Sequence, residues 1–432
     1  MVKKRLSFFY FVFQQYLKFW HRIYYRSIKI IKYTQVPAPY PVIYAPNHQN
    51  ALMDALAILL TDYHQPFFLA RADIFKSKFI ASFLNRMKIL PVYRIRDGAE
   101  NLGKNDEIFK MTSRIFKQGS PLGIFPEANH SVIRSLRPLK KGVVRVAFLA
   151  ESENDWKLNL HIIPMGIYYS DIQKMNQDLV LQYGKAIPMS NYRELYEQNE
   201  VAAFNQLRKD IAEGIREHIV DIPNDAEYSF KENIRDLFQL PNFAKYAGNP
   251  VVHSQEIVAR LNALERESPE DYSRMKAEYG KLSGGLPGAD SGRQLHDYFR
   301  LAGSGWAALL TQIVFVAPLA LLGNAFFFLP HTLLNSWIRK KIADPCFRST
   351  LYFSLSWLLF TLWILVFASL AAGIFPLGFV GSIVSAVICG MAAIRWNGLL
   401  EQVRNVRQCR SALPIEHLNN FHNSWSKTIL GK

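Results

Sequence analysis

Between Pro41 and Pro188, short apolar runs alternate with longer stretches of helical periodicity. The runs at 42–45, 67–70, 88–92, 122–125, 161–168 and 179–183 have the length and the β-branched or aromatic content of strands. Helices are expected between them, near 51–62, 73–86, 101–118 and 141–152. Such alternation predicts an α/β layer whose sheet is mixed and partly parallel. From 200 to 280 the pattern becomes that of charged amphipathic helices, clearest in "AFNQLRKDIAEGIREHIV", and "LSGGLPGADSG" (282–292) reads as a linker. Beyond Gly303 three runs are nearly free of charge: 306–330, 351–373 and 375–394. Apolar runs of about 20 residues are long enough to span a bilayer.

The flanking charges suggest how those runs lie. Arg339, Lys340, Lys341 and Arg348 precede the last two, and Arg395, Arg404, Arg407 and Arg410 follow them. By the positive-inside rule both flanks are cytoplasmic, so 351–394 is expected as a transmembrane hairpin. The segment 306–336 then has cytoplasm at both ends and is expected to be re-entrant, broken at Pro318 or at Gly323–Asn324. At the other end, residues 1–35 are basic and aromatic, and no Asp or Glu occurs before Asp54. Phe9, Phe13, Leu17 and Trp20 recur at helical spacing, with Lys3, Lys4, Arg5, Lys18, Arg22 and Arg26 around them. That composition fits an amphipathic helix at an anionic membrane interface. The expected organisation is therefore an interface helix over 1–35, an α/β domain over 36–220, and a charged helical region with linker over 221–300. An all-α membrane region over 301–395 and a basic cytoplasmic tail over 396–432 complete it.

Composition narrows the functional classes. The chain of 432 residues is half hydrophobic and carries a formal net charge of +16, which calls for a polyanionic partner. With three membrane-length runs and no nucleic-acid-reading motif, that partner is expected to be anionic lipid and not nucleic acid. Cys346, Cys389 and Cys409 are too few and too scattered for a disulfide framework or a metal site. There is no GxSxG elbow, P-loop or GxGxxG, which argues against a serine hydrolase, a kinase or a dinucleotide enzyme. The histidines show no zinc spacing, and no cofactor is expected.

The candidate chemistry gathers at the ends of the expected strands. In "APNHQNALMD" (45–54), His48 follows the first strand and Asn50 is placed to cap a helix beginning at Ala51. Asp54 then falls near the end of the first turn, and helical side chains lean toward the N-terminus, back toward His48. A carboxylate there can hold one imidazole tautomer and stabilise its cation while the other ring nitrogen takes a proton from a hydroxyl. "PVYR" carries Arg94, "FPEANHS" carries Glu127, Asn129, His130 and Ser131, and "RSLRPLKKG" adds Arg134, Arg137, Lys140 and Lys141. "IIPMG" sets Pro164 and Gly166 within the next strand. In a parallel sheet all of these reach one carboxyl edge, where α/β ligands bind.

Taken in order, "NHQNALMD", "PVYR", "FPEANHS" and "IIPMG" resemble the four motifs of the glycerophospholipid acyltransferases of the lysophosphatidate acyltransferase type, over about residues 35–220. The resemblance implies an α/β acyltransferase domain with His48 as general base and Asp54 as its orienter. It implies an acceptor-phosphate site from Arg94, Glu127, Asn129, His130, Ser131, Arg137, Lys140 and Lys141, and an acyl-donor side at Pro164 and Gly166. The expected reaction moves an acyl group from acyl-CoA or acyl carrier protein to 1-acylglycerol-3-phosphate, with the catalytic domain on the cytoplasmic face of a bacterial inner membrane. Glycerol-3-phosphate or a lyso-aminolipid are alternative acceptors, and a catalytically silent lipid-binding scaffold is the alternative from another class. Three departures stand out: five residues and not four separate His48 from Asp54, Ala128 replaces the usual glycine, and His130 stands where many members carry arginine. The longer spacing moves Asp54 about 100° around a helix unless the loop absorbs it.

Overall fold

The computed structural model describes residues 8–33, 41–61, 64–93, 104–239, 249–286, 291–301, 305–372 and 378–431. The chain divides into two units, residues 1–219 with 342–353 and residues 220–341 with 354–432.

In the first unit β-branched and aromatic runs bounded by Pro, Gly and Asn form eight strands among the described residues. They are β1 (Ser27–Lys32), β2 (Val42–Pro46), β3 (Phe67–Arg71), β4 (Ile89–Val92), β5 (Leu122–Gly123), β6 (His161–Tyr169), β7 (Asp178–Tyr183) and β8 (Ile187–Pro188). One sheet runs in the order β1-β7-β6-β2-β5-β3-β4. From β6 to β4 every neighbour is parallel. β7 is antiparallel to β6, β1 is parallel to β7, and β8 is antiparallel to β6, so the sheet is mixed. The helices of this unit are α1 (Phe8–Tyr24), α2 (Ala51–Thr61), α3 (Lys78–Arg86), α4 (Lys104–Lys117), α5 (Gly142–Ser152), α6 (Arg193–Gln198) and α7 (Glu200–Arg216).

Every residue of β2 is buried, as expected for a central parallel strand. Ile43, Ala45, Leu122 and Ile162 form one core with Val143 and Ala147 of α5 and Leu207, Ile211 and Ile215 of α7. Each fully buried aliphatic side chain contributes about 1.5–3 kcal/mol, and the i, i+4, i+8 spacing of Leu207, Ile211 and Ile215 aims all three at the sheet. Tyr44, one residue out of phase, points to the opposite face and meets Tyr183 edge-on at 5.7 Å.

The N-terminal segment differs from the helix expected over 1–35. The helix ends at Tyr24, and Ser27–Lys32 is an edge strand whose sequence SIKIIK carries lysines suited to an edge. Arg26 pairs with Asp178, and Ser27 Oγ donates to the same carboxylate at 2.7 Å. One face of α1 (Tyr10, Gln14, Leu17, His21 and Tyr24) is buried, with Gln14 Nε2 donating to the Leu59 carbonyl at 2.6 Å. Phe8, Phe9, Phe11 and Phe19 remain exposed.

The second unit is all helical: α8 (Tyr228–Phe238), α9 (Pro250–Glu267), α10 (Pro269–Ser283), α11 (Ser291–Leu301), α12 (Gly305–Lys341), most of α13 (Pro345–Ala371), α14 (Gly378–Ala412) and α15 (Ile415–Leu430). Ile234, Leu237, Leu261, Met275 and Leu295 share a core with Val406, Leu418, Phe421, Trp425 and Ile429. Residues 396–430 are thus no free tail, because their apolar side chains complete a bundle with the 228–301 helices.

The break expected near the middle of 306–336 is also absent, since α12 is one helix from Gly305 to Lys341 with Pro318 and Pro330 inside it. Pro330 has no N–H for the carbonyl of Phe326 four residues earlier, and the Trp363 indole donates to that carbonyl at 3.1 Å. Gly323 lets the Cys389 carbonyl of α14 approach, where a Cβ would lie 2.0 Å from it. The side chains of Asn324 and Asn397 bond one another at 2.9 Å beside this contact. Small residues and paired amides are how apolar helices associate where water is absent. Three helices, spanning 305–341, 347–371 and 378–412, are long and apolar enough to cross a membrane. At most 22% of each apolar window is buried, so their hydrocarbon surface needs a lipid cover.

Candidate active site

The site lies at the carboxyl edge of β2 and β5. Proline ends β2 without an amide for the ladder, and the side chain of Asn47 takes over. Its Nδ2 donates to the Ile167 carbonyl at 3.1 Å and its Oδ1 accepts from the Ile167 amide at 2.7 Å. His48 follows on this pinned loop. Ala51, at φ 44°, bends the backbone through the left-handed region, which absorbs the extra residue. The bend delivers Asp54, from the first turn of α2, to His48: Oδ2 lies 2.8 Å from Nδ1.

Asp54 is fully buried, and four donors surround it. Oδ2 accepts from His48 Nδ1 and from the amides of Gln49 and Asn50, each at 2.8 Å, and Oδ1 accepts from Tyr169 at 2.8 Å. A buried carboxyl so surrounded has both oxygens bonded and is held in one geometry. The expected cap at Asn50 is not there. Its side chain donates to the Ile172 carbonyl and accepts from Ser349, while Asp54 reaches back to the amides of Gln49 and Asn50, just before the helix.

Phe125 stacks on the His48 ring at 4.2 Å. Nε2 of His48 has no partner among the described residues, so a neutral imidazole with its proton on Nδ1 presents Nε2 as a base.

The loop after β5 wraps the other side. Glu127 is turned inward, accepting from the amide of His48 at 2.7 Å and from Arg137 Nε at 3.0 Å and its amide at 3.2 Å. Burial raises the Glu127 pKa above the ordinary carboxylate value, and those hydrogen bonds with the Arg137 charge oppose the shift. Glu127 therefore ties this loop to the His48 loop and holds the Arg137 guanidinium, where the resemblance implied a phosphate contact. Among the described residues, Arg137 Nη2 is buried without a partner. Ala128 sits at φ 64°, a left-handed position that suits glycine. The Ser131 amide donates to the His48 carbonyl at 3.2 Å, and the His130 ring meets that of His48 edge-on at 5.6 Å.

Other expected residues fall elsewhere. Arg94 lies outside the described residues, as do Lys3, Lys4 and Arg5. Asn129, Lys140 and Lys141 are exposed on the same loop. Arg134 is buried, donating to the Tyr169 carbonyl at 2.6 Å and lying over the Tyr168 ring. Pro164 and Gly166 face α7 and the turn after it: a Cβ on Gly166 would lie 1.9 Å from the His218 carbonyl, and Pro164 abuts Gly214. Close packing explains both residues. Tyr169 and Asn47 are site residues that composition and spacing did not reveal, because their partners are brought in by strand pairing. Among the described residues no group of His, Cys, Asp and Glu is arranged to hold a metal.

Comparison with known proteins bears on this geometry. Residues 27–168 match the family model described as acyltransferase. Glycerol-3-phosphate O-acyltransferase 2 of Saccharomyces cerevisiae is 23% identical over 205 residues, 43% of this chain, and the chain spans only 27% of that protein's length. The solved 1-acyl-sn-glycerophosphate (LPA) acyltransferase PlsC of Thermotoga maritima is 15% identical, with 48% of this chain and 78% of that chain covered. Its TM-score of 0.36 is too low for the superposition to bear on detail. The matched stretch begins at β1 and closes within β6, enclosing His48, Asp54 and the loop after β5, and residues 27–168 are therefore an acyltransferase domain.

Proposed function

We propose that this protein transfers an acyl group from a thioester, acyl-CoA or acyl carrier protein, to a hydroxyl of a glycerol-phosphate acceptor, with His48 as general base. The observation that carries the reading is the His48–Asp54 contact at 2.8 Å with Nε2 left for a substrate proton. Nε2 takes the proton as the acceptor oxygen attacks the thioester carbonyl. When the C–S bond breaks, the imidazolium returns that proton to the thiolate. General-base assistance of this kind contributes about 10²–10⁴-fold. Asp54 holds the tautomer and offsets the imidazolium charge.

The acceptor proposed first is 1-acylglycerol-3-phosphate. Arg137, whose buried Nη2 awaits an oxygen, supplies with Arg94, Lys140 and Lys141 the cations for its phosphate. The yeast relative's name supports glycerol-3-phosphate as a second reading, because both acceptors present the same phosphomonoester. The donors are cytoplasmic molecules, which sets the catalytic unit on that side of the membrane.

The test is acyl transfer by the purified full-length protein, with labelled acyl-CoA or acyl carrier protein and each acceptor supplied singly. Transfer to a glycerol-phosphate acceptor, lost in His48→Ala, is expected. Equal rates in the two proteins would overturn the base assignment, and no transfer to any acceptor would favour a silent lipid-binding scaffold.

A further inference from the structure

Residues Ile342–Phe353 belong to the first unit although the chain on both sides of them belongs to the second. The segment is tied down at both ends. Phe353 meets Tyr24 edge-on at 5.5 Å and His21 at 5.9 Å. Buried Ser349 donates to Asn50 Oδ1 at 2.6 Å, and the Asn50 amide is one of the donors that fix Asp54. Phe347 lies edge-on against His130 at 5.0 Å, and Asp344 Oδ2 is 3.1 Å from His130 Nε2. The His130 ring is in turn the next ring to His48. A carboxylate from a distant part of the sequence is thus held one ring away from the base, against the loop whose Arg137 has a buried donor unpaired among the described residues.

A carboxylate on an imidazole Nε2–H makes the contact that a phosphate oxygen makes there. The Asp344 side chain is 46% exposed while His130 is 16% exposed, so this anion sits at the open side of the loop and is not locked in a core. From this we infer that Asp344 is a specificity-determining residue of the acyltransferase site, an internal anion that competes with the acceptor's phosphate for His130. The inference rests on the acceptor reading above, in which that loop seats the phosphate. An incoming phosphomonoester displaces the carboxylate from His130 or binds against its charge, whereas an uncharged acceptor meets neither obstacle. His130 in place of an arginine suits such an exchange, because an imidazole offers one donor per nitrogen and not a fork that can hold both anions at once.

Asp344→Asn in the full-length protein removes the charge and keeps the shape. Half-exposed like charges interact weakly, so the KM for a phosphorylated acceptor is expected to fall about fivefold, with the KM for the acyl donor unchanged within about twofold. Inorganic phosphate, as a competitive inhibitor against the acceptor, is expected to bind tighter by the same factor, and Asp344→Glu is expected to behave as wild type. Phosphate binding is also read directly by titration calorimetry, which needs no turnover. A protein that never transfers acyl groups would refute the proposed function, while tighter phosphate binding in Asp344→Asn would still support this site. An acceptor KM and a phosphate affinity that stay the same, or that weaken, overturn the inference.

Discussion

Asp54→Asn is the substitution that most sharply tests how the site works. The new side chain has the same outline. Its one carbonyl oxygen can stay on His48 Nδ1 and the amides of Gln49 and Asn50, and its NH₂ then faces Tyr169, whose hydroxyl turns to accept. The fold is expected to hold. What goes is the negative charge beside the imidazolium that forms as the acceptor loses its proton. Two unit charges about 4 Å apart at an effective dielectric constant near 20 interact by about 4 kcal/mol. At about 1.36 kcal/mol per tenfold, that corresponds to a fall in kcat of about 10³. Asp54 is fully buried, so the KM values for donor and acceptor are expected to stay within about twofold. The assay is steady-state acyl transfer by purified protein, with thermal unfolding as the check on the fold. A loss in kcat below tenfold would refute the charge argument. Tyr169→Phe is the companion: it keeps the charge, so kcat is expected to fall less than tenfold, while the unmet Asp54 oxygen lowers stability by about 1–3 kcal/mol.

Other expectations follow from single groups. Glu127 has a folded pKa above its ordinary value because of burial, so its contribution is fully present below the unfolded pKa and is lost as pH rises through the folded one. Thermal melts of Glu127→Gln are therefore expected to gain on wild type as pH increases from about 4 toward neutrality, and a constant difference would refute this. Burial pushes the His21 imidazole down to about 3, and a histidine kept neutral in the fold but protonated when unfolded loses stability as pH falls below about 6.5. His21→Phe is expected to remove that component, up to about 1.4 kcal/mol per pH unit, from the melting profile; an unchanged slope counts against it. Ala128→Gly relieves a left-handed alanine and is expected to raise stability by about 1 kcal/mol, read as a higher midpoint in thermal unfolding.

Most strands and helices of the first unit were legible because each short apolar run is bounded by turn residues and followed by a stretch of helical periodicity. The strand at Ser27–Lys32 was not. Its alternation is short, it follows a helix of similar aromatic and basic composition, and only pairing with Asp178–Tyr183 makes it a strand. Residues 396–430 read as a basic tail because their arginines dominate the composition. Leu418, Phe421 and Trp425 recur at helical spacing, but only the 228–301 helices supply the core that buries them with Val406. A proline near the middle of 306–336 predicted a break, but α12 continues through Pro318, and at Pro330 in the same helix the freed Phe326 carbonyl is taken by Trp363, 37 residues away.

The sequence by itself determined which residue types meet at the site. His48 and Asp54 lie six positions apart, and a helix start between them limits how far they can separate, so a local rule could place them together. Tertiary structure decided everything that depends on partners distant in the chain. Tyr169 reaches Asp54 across 115 positions, Glu127 joins two loops across 79, and Asp344 meets His130 across 214. No period or spacing encodes such contacts, because they arise from the order in which strands enter the sheet and from where a later segment returns to it. The same separation explains Asn50, which has the side chain of a helix cap but is turned to the Ile172 carbonyl and to Ser349, neighbours that only the fold supplies.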